Sequence, residues 1–152
     1  MKTEAALAAQ AIRNELKALG IQARVKSRNF SMGNAVDIYV TDLPPFLSAK
    51  VKAIGDKYQY GHFDGMTDCY EHSNSREDIP QAKFVHVNNQ ISDEMREAVY
   101  QHLRTQWVGG EALPVSYAEG RDLSFHGVYV SQFVRQEFCR ENGSFWQERN
   151  AA

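Results

Sequence analysis

The sequence has little of what marks the specialised classes of protein. It holds only two cysteines, Cys69 and Cys139, far apart and without framework spacing, so no disulfide scaffold is encoded and two free thiols are expected. Its apolar runs are a few residues long, too short for a helix to span a bilayer. The first stretch, MKTEAALAAQAIRNELKALG, is alanine-rich but charged throughout, unlike a secretory leader, so a soluble, cytoplasmic chain with no membrane partner is expected. Neither sign of charge dominates: 17 Lys and Arg stand against 19 Asp and Glu. Nucleic acid would therefore feel no global attraction, and binding it requires a local basic patch. There is no internal repeat and no low-complexity tract.

What is present describes an ordinary folded chain. A length of 152 residues with 43% apolar content allows a substantial core and argues against disorder. One domain over residues 1–152 is expected, with Gly109-Gly110 as the place for a hinge, because the forty or so residues beyond it are few for a separate core.

Periodicity outlines the elements. Ala5, Ala8, Ile12, Leu16 and Leu19 recur at helical spacing, predicting a helix over 3–19 that stops at Gly20. The period then falls to two: Ile21, Ala23 and Val25 alternate with polar residues, and after RNFSMGN so do Val36, Ile38 and Val40, which reads as a hairpin with one buried face. Pro44-Pro45 open a second helix whose inner face carries Leu47, Val51, Ile54 and Tyr58. Lys83–Asn88 reads as a further strand. Ser92 caps a third helix with Met95, Val99, Leu103 and Trp107 in its stripe. A last helix is expected over about 128–141, with Val130, Phe133, Val134 and Phe138 inward and Cys139 as a small core residue. The fold class that follows is α+β: a small antiparallel sheet covered by about four helices, starting α-β-β-α.

One segment stands apart. KYQYGHFDGMTDCYEHSNSRED, residues 57–78, gathers Tyr58, Tyr60, Phe63 and Tyr70 with two histidines, a cysteine and several carboxylates. Asp64-Gly65 between alternating residues predicts a tight type I′ turn, with Tyr60 and His62 sharing one face and Met66, Asp68 and Tyr70 another. His62, Cys69 and His72 lie at an H-x6-C-x2-H spacing near Asp64 and Asp68, but structural zinc favours paired clusters and no second cluster exists, so no metal and no cofactor is expected. The competing catalytic reading is a metal- or thiol-dependent hydrolase using His62, Asp64, Asp68, Cys69 and His72, with Glu71 as a further carboxylate. No nucleophile elbow, phosphate loop or H-E-x-x-H motif accompanies it. Two contact readings remain. A partner surface would use Tyr58, Tyr60, His62, Phe63, Asp64, Met66, Asp68 and Tyr70, since Tyr, Phe and Met are enriched at interfaces; the same rings would equally serve as packing beneath the second helix. A nucleic-acid surface would use Arg24, Lys26 and Arg28 on the polar face of the first strand, with Asn29, Phe30 and Asn34 along the backbone and Tyr58 and Tyr60 stacking on bases, against which Asp37 and Tyr39 share the sheet face. Nothing in the sequence sets an oligomeric state.

The block KYQYG, then FDGMTD, Tyr70, SNSR (73–76) and Ile79-Pro80 resembles the large polyvalent-protein-associated domains, over roughly residues 1–100. The resemblance implies a protein of plasmids, conjugative elements or phages that helps an incoming element establish itself, including by countering host defence. It carries over no catalytic residues. It implies a non-enzymatic accessory protein that binds a host protein or transferred DNA.

Overall fold

A computed structural model describes residues 1–151. The chain divides into two compact units, one formed by Met1–Thr41 with Leu47–Gln90, the other by Asp42–Phe46 with the chain from Ile91 onward.

In the first unit, helix α1 (Glu4–Ala18) begins at Thr3, whose hydroxyl accepts the Ala6 amide at 3.2 Å. It ends where Gly20, at φ 71°, donates to the Lys17 carbonyl and Ile21 to the Leu16 carbonyl, a Schellman closure that also brings Ile21 onto Leu16. The buried face is Ala5, Ala8, Ala9, Ile12 and Leu16. Leu19, expected in this stripe, is half exposed, because it is the cap and the helix has already turned away.

Strands β1 (Arg24–Phe30) and β2 (Gly33–Thr41) form the expected antiparallel hairpin, but the loop is shorter than RNFSMGN suggests. Pairing runs on to Phe30↔Gly33, leaving only Ser31 and Met32 between the strands. Ile21 and Ala23 precede β1, so Val25 is its one buried residue. Helix α2 (Pro45–Lys57) leads, through a short hairpin of β3 (His62–Asp64) and β4 (Cys69–Glu71), into β5 (Phe84–Gln90). The order across the main sheet is β1-β2-β5, and β5 runs parallel to β2 with Ala35↔Phe84 through Thr41↔Gln90. The sheet is thus mixed, not antiparallel as expected: a helical crossover separates β2 from β5, which lets them run the same way.

The two faces of this sheet differ. Val25, Val36, Ile38, Val85 and Val87 point inward, and α2 presses against them so closely that a Cβ on Gly55 would lie 3.3 Å from side-chain carbons of both Val85 and Val87. The alternate residues form the outer face, in rows of Arg28–Ala35–Phe84, Lys26–Asp37–His86 and Arg24–Tyr39–Asn88. Arg24, Lys26, Arg28, His86 and Asn88 are exposed there.

The second unit is mainly helical. α3 (Asp93–Gln106) is capped by Ser92, whose hydroxyl accepts the Met95 amide at 3.1 Å and donates to Asp42. After a 3-10 turn at Gly110–Ala112 come the single-turn α4 (Tyr117–Gly120), strands β6 (Ser124–Phe125) and β7 (Val128–Tyr129), α5 (Val130–Cys139) and α6 (Ser144–Ala151). Among the described residues there are therefore six α-helices where about four were expected. α6 was missed because its apolar content is confined to Phe145 and Trp146, too few for a periodic stripe. Both are buried, with the Trp146 indole donating to the Phe138 carbonyl at 2.7 Å. Buried Glu137 starts α6 by accepting the Phe145 amide at 3.2 Å. Gly109-Gly110 lies inside this unit, and Gly109 takes φ 80° to begin the 3-10 turn. Cys139 is exposed at the end of α5, not a core residue.

A candidate contact surface

The hairpin β3–β4 pairs His62↔Glu71, Phe63↔Tyr70 and Asp64↔Cys69, so Gly65 through Asp68 form a four-residue loop and not the two-residue type I′ turn expected from Asp-Gly. The cause lies in the Asp64 side chain. Its carboxylate accepts the Met66 amide at 2.9 Å and the Thr67 hydroxyl at 3.0 Å, closing the loop locally, and Asp68, at φ 55°, supplies the left-handed residue that returns the chain. The Met66 amide first, and the Thr67 hydroxyl next, hold the Asp64 carboxyl below its usual range. The tight turn with two consecutive left-handed residues is at His126-Gly127, with φ of 50° and 82°, between β6 and β7.

Behind the hairpin, three side-chain amides tie the chain down. Asn74 donates to the carbonyls of Asp56 and Gln59, both at 3.0 Å. Gln81, nearly buried, donates to Lys57 and Asn74 at 2.9 Å and accepts the Arg76 amide at 2.7 Å. Gln59 accepts the Val85 amide at 2.7 Å and donates to Gly61 at 2.6 Å. Gly61 itself has no room for a side chain: a Cβ there would lie 1.9 Å from the Glu71 carbonyl oxygen. Asn74 of SNSRED therefore acts with Gln81 and Gln59 as a latch, invisible to periodicity because Asn74 and Gln81 reach back to carbonyls far along the chain.

On this frame the candidate residues separate into layers. Tyr58 is a core residue, 4% exposed, whose hydroxyl donates to Glu15 at 2.7 Å beside the Lys57 ammonium. Burial, then the Glu15 carboxylate, pushes its phenol up to about 12. For Glu15 burial opposes ionisation, but the hydrogen bonds from Lys57 and Tyr58 prevail and lower its pKa. Tyr60 and Tyr70 are half-buried. Tyr70 donates to the Lys83 carbonyl, and burial, then neighbouring Tyr60, raises its phenol to about 12. Tyr60 stacks on His72 at 5.2 Å, and Tyr70 meets Phe84 edge-on at 5.5 Å, so rings from the hairpin continue onto the outer face of the sheet. His62, Asp68, Phe63 and Met66 are exposed, Phe63 at 55% and Met66 at 96%. The predicted sharing of a face by Tyr60 and His62 does not occur, since Tyr60 precedes β3 and turns toward Tyr70 and His72.

The hydrolase arrangement is not assembled. His62 bonds Ser73 through Nδ1 at 2.9 Å and lies 3.6 Å from Glu71, His72 is stacked on Tyr60, and Asp64 is committed to its own loop. Among the described residues no group of three or more His, Cys, Asp or Glu side chains is placed to hold a metal ion. Arg24, Lys26 and Arg28 do come together, along one side of β1. Arg28 pairs with Asp37 at 2.9 Å and Arg24 lies 4.6 Å over the Tyr39 ring, while Lys26 has no ion-pair partner among the described residues. Sequence reading missed Phe84, His86 and Lys83 as members of the same surface, although the alternation in FVHVN places the first two on one side.

A family model, Large polyvalent protein associated domain 29, matches residues 3–99. The chain belongs to this family of polyvalent-protein-associated modules, and the match runs from the cap of α1 through the hairpin and β5 into α3. No curated protein and no solved structure matches the chain. No helix among the described residues is long and apolar enough to cross a membrane.

Proposed function

We propose that the chain is a non-enzymatic accessory protein of a mobile genetic element, a plasmid, conjugative element or phage, that works by binding, and that the β3–β4 hairpin is where it meets a host protein. The observation that carries this reading is the pair Phe63 and Met66. Both are large apolar side chains, 55% and 96% exposed, on a hairpin whose flanking segments are held by Asn74, Gln81 and Gln59 and whose loop is closed by the Asp64 carboxylate. A braced surface loses little freedom on docking, so exposed apolar area there converts efficiently into affinity. The register puts Phe63 on one side of the hairpin with Tyr70, and the exposed His62, Cys69 and Glu71 on the other, so the apolar side is the one offered for contact. Family membership supports an accessory role in an incoming element, with defeat of a host defence as the benefit such binding would bring, inside the recipient's cytoplasm.

The test is capture from recipient-cell extract by the wild-type chain and by the Phe63→Ala/Met66→Ala variant. A specific protein retained by the wild type and lost by a variant of unchanged thermal midpoint is expected. Equal retention by both, or none by the wild type, contradicts the reading.

A further inference from the structure

We propose that the outer face of the three-stranded sheet binds single-stranded nucleic acid, with its rings stacking on bases and its cations tracking phosphates. This surface is distinct in residues from the Phe63–Met66 pair, and it goes beyond that reading. α1 and α2 cover only the inner face, and along the outer one the side chains are the two kinds a flexible polyanion needs. Arg24, Lys26 and Arg28 line β1 at every second position, a spacing of roughly 6 to 7 Å that matches successive phosphates of an extended strand. Lys83 adds a fourth cation at the far edge, its ammonium 5.6 Å over the Phe84 ring. Between them stand Phe30, Tyr39, Phe84 and His86, with Phe30 parallel to Phe84 at 6.3 Å and Phe84 parallel to His86 at 6.1 Å.

Charge decides the class of occupant. In a chain of net charge −2, the three rows hold three cations and a single carboxylate, Asp37, which Arg28 already neutralises. A protein partner would not require this excess, and a duplex would offer the rings no free base to stack on. Stacked bases on a single phosphate chain are the chemistry this face matches.

Fluorescence anisotropy of a labelled oligothymidine strand of about 12 nucleotides tests this. The wild-type chain should bind the strand at low salt, more tightly than a duplex of equal length. Tyr39→Ala and Phe84→Ala should each weaken binding roughly five- to 150-fold. Since Tyr70 packs on Phe84, that variant could loosen the hairpin, whereas Lys26→Gln removes the charge on the exposed edge strand without setting a like charge opposite Asp37. It should lower the steepness of the salt dependence by about 0.7 in log–log slope per lost phosphate contact. Phe63→Ala/Met66→Ala should keep wild-type affinity for the strand, which separates this face from the hairpin. The proposal is overturned by no binding of the strand at low salt, by equal or tighter binding of duplex, by an affinity indifferent to Tyr39 and Lys26, or by loss of affinity in the hairpin variant.

Discussion

The two compact units use aromatic residues in opposite ways. In the second, the rings make the core: Tyr100, Phe138, Phe145 and Trp146 are all buried, with Phe138 edge-on to Trp146 at 5.4 Å. In the first, the core is alanine, valine, isoleucine and leucine, and Tyr58 is its one buried aromatic. Phe30, Tyr39, Phe63, Tyr60, Tyr70 and Phe84 stand outside it, from half-buried to exposed. A ring in a core contributes through area removed from water; a ring left on a surface forgoes most of that gain. Phe30, Tyr39, Phe63 and Phe84 are the rings we propose for recognition, while Tyr70 also anchors the hairpin through the Lys83 carbonyl.

The sharpest contrast in stability should come from the second unit. Phe138→Ala removes a buried ring and the packing around Trp146, and should cost about 3–5 kcal/mol in denaturant unfolding. If it costs no more than removal of a half-buried ring such as Tyr39, the contrast between the units fails. A smaller effect is expected at the latch. Asn74→Ala removes exposed hydrogen bonds to the Asp56 and Gln59 carbonyls and should cost about 0.5–1.5 kcal/mol, read as faster amide hydrogen exchange across β3 and β4. Unchanged exchange would mean the hairpin stands without its brace, and rigidity could not support the contact reading.

A third effect depends on pH. The phenols of Tyr58 and Tyr70 are raised to about 12 in the folded chain, above their ordinary 10. The fold therefore favours their neutral forms. The stability they contribute is complete below pH 10 and is lost as pH climbs from 10 through 12. Alkaline titration followed by phenolate absorbance should show these two ionising together with loss of structure. Tyr58→Phe/Tyr70→Phe should flatten the dependence in that window, and an unaltered curve in the double variant would remove both tyrosines from the account.

Much of this was legible in the sequence where a short period or a cap carried the signal. The α-β-β-α beginning, the Ser92 cap and the inner faces of α2, α3 and α5 follow from spacing alone, and the family block around Tyr60 and Asp64 was sufficient to place the chain. Strand direction was not legible, because alternation in β5 is the same whether it runs with β2 or against it. The turn at Asp64-Gly65 was misjudged because the Asp64 side chain captures Met66 and Thr67 before the glycine can set a tighter turn. Of the eight residues picked for the contact surface, Tyr58 belongs to the core, and the amides that brace the rest gave no periodic trace. The basic residues of β1 were visible, but Phe84 and His86, which share their face, were not, since that depends on which strand lies beyond β2.

The smallest expected change carries the most weight. Phe63→Ala/Met66→Ala strips two large apolar groups from the hairpin, and its unfolding free energy in denaturant should stay within about 0.5 kcal/mol of the parent chain. A drop of several kcal/mol, on the scale of Phe138→Ala, would mean those side chains hold the fold together and are not spare for meeting another molecule.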